Sequence, residues 1–544
     1  MPRFKKEVAA IIFRYPRKEV MRMISEKYDV IVIGAGISGL LTALVLGKHG
    51  NRVLVLEKNA FPGGNCRSYR VDGFMVDTGP HAITMLRSDN GPLRLLMDNY
   101  FDTVPEFIPY GDYYIRSADD GSLVRCPTNV HDFLTFEFLP LRDRILLAST
   151  IASVFIKYSS GRDYSREPVY DSLPKGLSDR SLAFADAFSL FMSGRGMKET
   201  SVKRMAEGSS FSQIGGMSRD AFLRLVSGTG AAEQAAAPES DPRFSAVDPA
   251  PNENMPGEEN AGGDFASAFK KLVYHKGGFS NQGYPVGGIG AILSCLLSSL
   301  PGGVTIRTGC RARRILTENN QVKGVEFRNG AGEDETVYAD LIVHTGFAAN
   351  LIRMLDDLPE TYRDRLCHID HTVSITSWVG LDEKIPAFDY IGTEIRYEGM
   401  PYWGGPTSNY DPSLAIPGGQ VAGFSFVPLP RRKIRSRVKD TYDALFSGIP
   451  GLEDHVVMKH AQITVPEKAA ITINGQFADI RTPVAGLYMA GTDADKRSMG
   501  LTRAAYSVIS LMQALEEDGL FGRRNDFRGL RHHRRYLPDM TTNR

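Results

Sequence analysis

Apolar residues gather in short blocks along this chain, and the blocks follow two periods. Val30 to Ile33 and Val53 to Leu56 are uncharged runs of strand length, the pattern of strands buried on both faces. Between them, Leu40 to Leu46 carries helical apolar spacing. Farther on, Val304 to Arg307 and Ala339 to Thr345 read as strands, and Gln321 to Phe327 with Glu335 to Tyr338 reads as a hairpin. Tyr110, Tyr113, Tyr114 and Ile115, then Ser374 to Leu381 and Gln420 to Val427, alternate as strands of a second sheet. Leu182 to Met192 is a helix candidate interrupted by Asp186. Arg142 to Tyr158 encloses an uncharged run, Ile145 to Ile156. That run is too short to span a bilayer. It suits a core helix, or an in-plane helix that dips into lipid while Arg142, Arg144 and Lys157 stay at the headgroups.

The first strand–helix–strand unit carries chemistry. Gly34, Gly36 and Gly39 stand in G-x-G-x-x-G spacing between strand and helix, and Glu57 closes the second strand. Gly34 permits the tight turn, Gly36 lets backbone approach a pyrophosphate, and Gly39 lets the helix pack on the sheet. The helix N-terminus offers free N–H groups to phosphate. An acid about 20 residues beyond the glycines takes the ribose hydroxyls. The same acid would repel the 2′-phosphate of NADP, so the unit should hold FAD or NAD. A glycine-rich turn without a ligand is the bland alternative, and the strand, helix, strand and acid together argue against it.

Size and charge narrow the class. At 544 residues the chain is too long for one core. Its net charge of +1 makes no global case for nucleic acid. Cys66, Cys126, Cys295, Cys310 and Cys367 are scattered without a C-x-x-C, which reads as a reduced, cytoplasmic protein with no zinc site. The N-terminal stretch is basic around a short apolar patch, Val8 to Phe13. It reads as a surface extension, or as an amphipathic segment on an anionic membrane; Met21 or Met23 are alternative starts. Ser227 to Gly263 is rich in Ala, Pro, Glu, Asn and Gly and reads as a disordered insert.

After Glu57 come Lys58, Gly63, Gly64, Asn65, Arg67 and Ser68; then Gly73 to Thr84, with Asp77-Thr78-Gly79-Pro80-His81; then Tyr284 to Ala291 and Gly309 to Ile315; and last Gly486 to Asp495 followed by Met499 to Ser507. In this order the segments resemble the FAD-binding oxidoreductases of the amine-oxidase and phytoene-desaturase superfamily, most closely the phytoene desaturase-like and carotenoid isomerase-like proteins. Four positions depart from the family pattern. Asn65 stands where a basic residue often follows the glycine pair, with Arg67 two further on. His81 replaces a threonine, and Ala312 a valine. Thr492 follows the closing glycine, with Asp493 one later, and either suits the ribityl contact.

The resemblance implies an α/β fold: a Rossmann-like FAD-binding domain assembled from discontinuous segments, with an inserted α+β substrate domain. The FAD domain is expected at 28–100, 275–365 and 475–516, and the substrate domain at 101–274 and 366–474. A basic extension, 1–27, and a basic tail, 517–544, flank them. The implied FAD contacts are Gly34, Gly36, Ile37, Ser38, Gly39, Glu57, Lys58, Gly63, Gly64, Asn65, Arg67, Ser68, Gly79, Pro80, Ala312, Gly491, Thr492, Asp493, Gly500, Leu501 and Ala504. His81 is a candidate hydrogen-bond donor or proton shuttle, or else a loop histidine without chemistry. The implied activity is flavin chemistry on carbon–carbon bonds of an apolar, isoprenoid or carotenoid-like substrate, without an obligatory side-chain nucleophile and without a metal. Peripheral membrane contact would suit such a substrate. A flavin amine oxidase and a non-catalytic FAD-binding protein are the alternatives. The aromatic stretch from Trp378 to Phe426 suits a long apolar ligand and an ordinary core equally.

Overall fold

The computed structural model describes residues 27–79, 83, 84, 86, 91–127, 130–159, 161–208, 282–427 and 434–521. Residues 1–26 of the basic extension, Pro80, His81, the insert 227–263 and the end of the basic tail lie outside the described residues.

Two sheets organise the molecule. The first has five parallel strands: β1 (Val30–Ile33), β2 (Val53–Leu56), β9 (Val304–Arg307), β13 (Leu341–His344) and β19 (Leu487–Met489). Their order is β19-β13-β1-β2-β9, with every pair parallel. Strands far apart in sequence thus build one Rossmann-like domain. Every residue of β1, β2 and β13 is buried, as their unbroken apolar character requires.

Helix α1 (Ile37–Lys48) covers one face together with α4 (Gly290–Ser298) and α6 (Gly500–Glu517). There Leu40, Leu44, Ile292, Val508 and Leu511 share a core. The antiparallel strands β10 (Arg311–Glu318), β11 (Gln321–Arg328) and β12 (Asp334–Tyr338) cover the other face, with Ile315, Val325 and Phe327 packed on Ile31 and Leu54.

The second sheet runs β18-β14-β17-β16-β15-β6-β7. Its strands are β6 (Asp112–Arg116), β7 (Leu123–Arg125), β14 (Ser374–Leu381), β15 (Gly392–Arg396), β16 (Tyr402–Pro406), β17 (Gln420–Phe426) and β18 (Val456–Thr464). Ile375 and Val379 of β14 join one core with Phe424, Phe426 and Leu445 of α5 (Val438–Gly448). Trp378 joins the other, with Leu147 of α2 (Leu141–Ser159) and Phe184 of α3 (Asp179–Ser193). The aromatic stretch is therefore mostly core: Trp378, Phe388, Tyr402, Phe424 and Phe426 are fully buried, and Trp403 is half-buried.

Two strands cross between the domains side by side. Thr372 N–H donates to the Lys468 carbonyl at 2.8 Å, and Glu467 N–H to the Thr372 carbonyl at 2.9 Å. A hairpin, β3 (Ser68–Val71) with β4 (Phe74–Asp77), brings the first domain against β18, and the short strands β5 (Phe107–Pro109) and β8 (Gly283–Pro285) pair antiparallel. None of the helices among the described residues is long and apolar enough to cross a membrane.

Candidate functional site

The cradle lies beyond the carboxyl ends of the parallel strands, where open α/β sheets bind ligands. Gly34 turns the chain at φ +108. A Cβ on Gly39 would fall 1.9 Å from the Gly34 carbonyl oxygen, so only glycine lets the helix sit this close. Gly36 is different. Its φ of −69 suits any residue, and a Cβ there meets nothing within 4 Å. Gly36 caps α1 without a side-chain hydrogen bond, which leaves N–H groups at the helix start for a ligand.

Glu57 sits buried at the end of β2. Its Oε2 accepts from Ala35 N–H at 2.8 Å and its Oε1 from Asn59 N–H at 2.8 Å. The carboxylate thereby ties the glycine loop to the loop after β2. Cys310 N–H donates to the Glu57 carbonyl at 2.7 Å, which brings β10 and Ala312 to the same end of the sheet. Gly63 (φ +112) and Gly64 (φ +56) form the adjacent turn, and Gly63 N–H donates to the Ala35 carbonyl at 2.7 Å. Lys58, Gly64 and Asn65 are exposed. The Arg67 guanidinium lies 3.9 Å from the ring centroid of Phe61.

Ser68 belongs to an internal knot. Its hydroxyl donates to Asp77 Oδ1 at 2.5 Å and accepts from Gly290 N–H at 2.7 Å. Asp77 also takes Ile289 N–H at 3.1 Å and the Tyr284 hydroxyl at 2.6 Å. Burial and the Asp77 charge push the Tyr284 phenol well above its ordinary pKa, so it stays a donor. The knot fastens the β3–β4 hairpin to the start of α4.

The closing segment reaches the same place. Gly491 (φ +120) follows β19, and a Cβ on it would lie 3.8 Å from Ser38 Oγ at the start of α1. Gly500 (φ +49) opens α6, also without a side-chain cap, and a Cβ on it meets nothing within 4 Å. Ile37 is half-buried, while Leu501 and Ala504 are buried in the packing beneath. Two uncapped helix N-termini thus flank one strip of backbone.

Comparison with known proteins places this geometry. Residues 32–100 match the family model described as an NAD(P)-binding Rossmann-like domain. An uncharacterized protein of the nifH2 3′ region of Methanothermococcus thermolithotrophicus is 48% identical over 106 residues, 98% of its length and 20% of this chain. The all-trans-retinol 13,14-reductase of Rattus norvegicus is 44% identical over 114 residues, 19% of each chain. Prolycopene isomerase 2 of an Oncidium hybrid cultivar is 47% identical over 72 residues, 13% of this chain and 12% of the isomerase. The match thus spans less than a fifth of the length of either named enzyme. An oxidoreductase from Methanosarcina mazei shares the fold at a TM-score of 0.61 and 20% identity, over 89% of this chain and 99% of its own. By these matches the chain is similar to the FAD-dependent amine-oxidase and phytoene-desaturase superfamily.

Within that superfamily fold, the two candidates for the ribityl contact differ. Asp493 is buried, and its Oδ2 accepts from Ala348 N–H at 2.9 Å and from His371 Nε2 at 2.9 Å. Its Oδ1 is buried without a partner. Thr492 is half-buried, and its carbonyl accepts from Arg503 at 3.2 Å. Arg503 is itself buried, and also donates to the carbonyls of Ala469 at 2.7 Å and Ser498 at 3.2 Å. Burial lowers its pKa to about 10, which leaves it charged at neutral pH. One cation thus clamps a crossing strand, the closing turn and the entry to α6.

Sequence pattern did not single out His371, Arg503, Tyr69, His460 or Gln462. His371 borders a cleft of about 520 Å³ between the crossing strands, with Asp370, Val373, Val465 and Pro466. Gln462 of β18 accepts from Gly79 N–H at 3.0 Å and donates to the Asp77 carbonyl at 2.7 Å. The turn that carries Gly79 is therefore held by the other domain.

Proposed function

We propose that this chain is an FAD-dependent oxidoreductase that changes the redox state or geometry of carbon–carbon double bonds in an apolar, isoprenoid-like substrate. Gly36 carries the cofactor half of this reading. Protein packing gives no reason for glycine there, since φ is ordinary and a Cβ meets nothing within 4 Å. A pyrophosphate approaching the backbone does give one. The adenosine ribose would lie against Glu57, the pyrophosphate at the start of α1, and the flavin end toward the start of α6. There the helix dipole favours negative charge. When bound, the flavin supplies the two-electron chemistry. The protein binds it, orients it and excludes water.

The substrate half rests on the relatives. A retinol reductase and a prolycopene isomerase are named for conjugated isoprenoids. Such molecules have almost no aqueous concentration, so their enzyme collects them from lipid. Helix α2 supports this. Leu141 and Ile145 are 60% and 51% exposed one turn apart, near the 38% exposed Leu134, with Arg142 exposed beside them. Exposed apolar residues flanked by cations suit a peripheral membrane contact.

The test is purification followed by a flavin spectrum, mass spectrometry of extracted lipid, and anaerobic mixing of the reduced protein with all-trans-retinol. A yellow protein whose reduced flavin is reoxidised by the polyene supports the reading. A colourless protein that takes up no FAD overturns it.

A further inference from the structure

Tyr69 of β3 and His460 of β18 meet across the seam between the two domains. Tyr69 Oη lies 2.8 Å from His460 Nε2, with the rings edge-on at 87°. Gln462, on the same face of β18, donates to Tyr69 Oη at 2.9 Å. Its partners fix the protons. Gly79 N–H can only donate to the Gln462 amide and the Asp77 carbonyl can only accept from it, so the amide orientation is set. The phenol oxygen therefore accepts from Gln462, and in the Nδ1–H tautomer of neutral His460 its own proton points at the bare Nε2. Burial holds the His460 pKa below 6.5, against a weaker pull from Asp72. Tyr69 and Asp72 face the imidazole from the hairpin, and Trp378 lies opposite it in β14. Lys459 points away, over the Phe446 ring at 4.4 Å.

This pair joins the β3–β4 hairpin to β18 and borders the Asp77–Gly79 turn that Gln462 holds. We propose that Tyr69 is the proton donor to the substrate double bond and that His460 is the relay that loads it. The proposal rests on the oxidoreductase reading above, taken in the reductive direction.

Protonation of His460 reverses the hydrogen bond. Nε2–H then donates to Tyr69 Oη, Gln462 fills the second acceptor position, and the phenolic O–H is released toward the seam. In the step, the carbon–carbon π bond breaks. With FAD bound, its reduced form would supply a hydride, a proton with two electrons, to one carbon and be left oxidised, while Tyr69 gives its proton to the neighbouring carbon. The phenolate regains a proton from His460 Nε2, and water reprotonates the imidazole. An external two-electron donor restores the flavin. Desaturation runs the same transfers backwards.

The test uses the full chain loaded with FAD, as wild type, Tyr69→Phe and His460→Gln. Each is reduced anaerobically with dithionite and mixed with all-trans-retinol, and flavin reoxidation is followed between about pH 5 and pH 8, the range in which histidine titrates. The wild-type rate should fall as pH rises through the His460 pKa. Tyr69→Phe should be slower by about 10²-fold, the usual size of a lost general acid, with FAD content and dithionite reduction unchanged. His460→Gln keeps a donor toward Oη but cannot titrate, so its rate should no longer vary with pH. His460→Gln alters only the far partner of the phenol, so this second variant tests the relay even if Tyr69→Phe folds poorly. A Tyr69→Phe rate within about twofold of wild type, or a wild-type pH profile in His460→Gln, overturns the relay. If the wild type holds flavin and neither all-trans-retinol nor a cis-carotene reoxidises it, the substrate reading fails and the relay falls with it.

Discussion

A Cβ on Gly64 would lie 3.1 Å from the Cα of Gly36, so the two glycine turns meet backbone to backbone at the start of α1. Gly36 nevertheless faces open space at its own Cβ position, and its φ is ordinary. A valine there should leave the apoprotein nearly as stable, within about 1 kcal/mol, the scale of a changed N-cap. The same methyl groups would occupy the approach of the pyrophosphate. Gly36→Val should therefore purify with less than about a tenth of wild-type FAD, while its urea midpoint stays close to that of the wild-type apoprotein. Equal FAD occupancy in the two proteins would show that the cofactor does not pass this loop.

Glu57 works in the fold before any ligand arrives. Each carboxylate oxygen accepts one backbone N–H, from Ala35 and from Asn59. Glutamine offers one oxygen and one NH₂, so one of those amides would face another donor. Glu57→Gln should cost about 1–3 kcal/mol, the penalty for a buried donor left unmatched. Denaturation of the apoprotein reads that loss. A separate drop in FAD affinity should add to it, since the ribose hydroxyls lose half of their acceptor.

Much of this was legible in the sequence, for a physical reason. Val30 to Ile33, the glycine triplet and Val53 to Glu57 are neighbours in the chain, and their signal is local: apolar blocks of strand length, a turn only glycine allows, and an acid at a fixed offset. The separated segments could be ordered only because each carries its own glycine turn. Tyr69, His460 and Gln462 carry no such mark. Their partners lie on strands from opposite ends of the chain, and an alternating strand such as β18 says nothing about which hydroxyl its glutamine will meet. Asp493 illustrates the same limit. Spacing placed it beside the closing glycine, and only the fold shows Oδ2 held by Ala348 and His371 while Oδ1 has no partner. The aromatic stretch also needed the fold, because residue type does not separate a core from a ligand channel.

His344 makes stability depend on pH. It ends β13 fully buried, donates through Nε2 to the Phe347 carbonyl at 3.1 Å, and keeps a bare Nδ1. Burial lowers its pKa below 6.5, with the Asp493 charge opposing. In the unfolded chain the imidazole takes a proton near pH 6.5, while the folded state refuses it until lower pH. The unfolded state thus binds more protons in that window, and stability falls as pH falls. The slope from this one group is at most about 1.4 kcal/mol per pH unit. His344→Gln keeps a donor for Phe347 and cannot titrate. Its urea midpoint should decline less than that of wild type between about pH 6.5 and pH 5. His49 and His460 are lowered in the same direction, so a residual slope should remain.

Helix α2 separates lipid contact from core by position along one turn. Ile145 is 51% exposed, whereas Leu147, two residues on, is 5% exposed in the core with Phe184 and Trp378. A carboxylate at Ile145 stays in water in the free protein and so costs little stability. At an anionic bilayer it would meet like charge and lose the apolar contact. Ile145→Glu should therefore weaken binding to phosphatidylserine-containing liposomes about tenfold or more, with FAD content and melting unchanged. Leu147→Glu puts an unpaired carboxylate among apolar side chains, at a cost of several kcal/mol, and should unfold the domain. Co-sedimentation with liposomes, read beside the flavin spectrum, distinguishes the two. A wild type that does not bind such liposomes, or an Ile145→Glu variant that binds them equally well, would remove the membrane from the account and leave delivery of the apolar substrate to a soluble carrier.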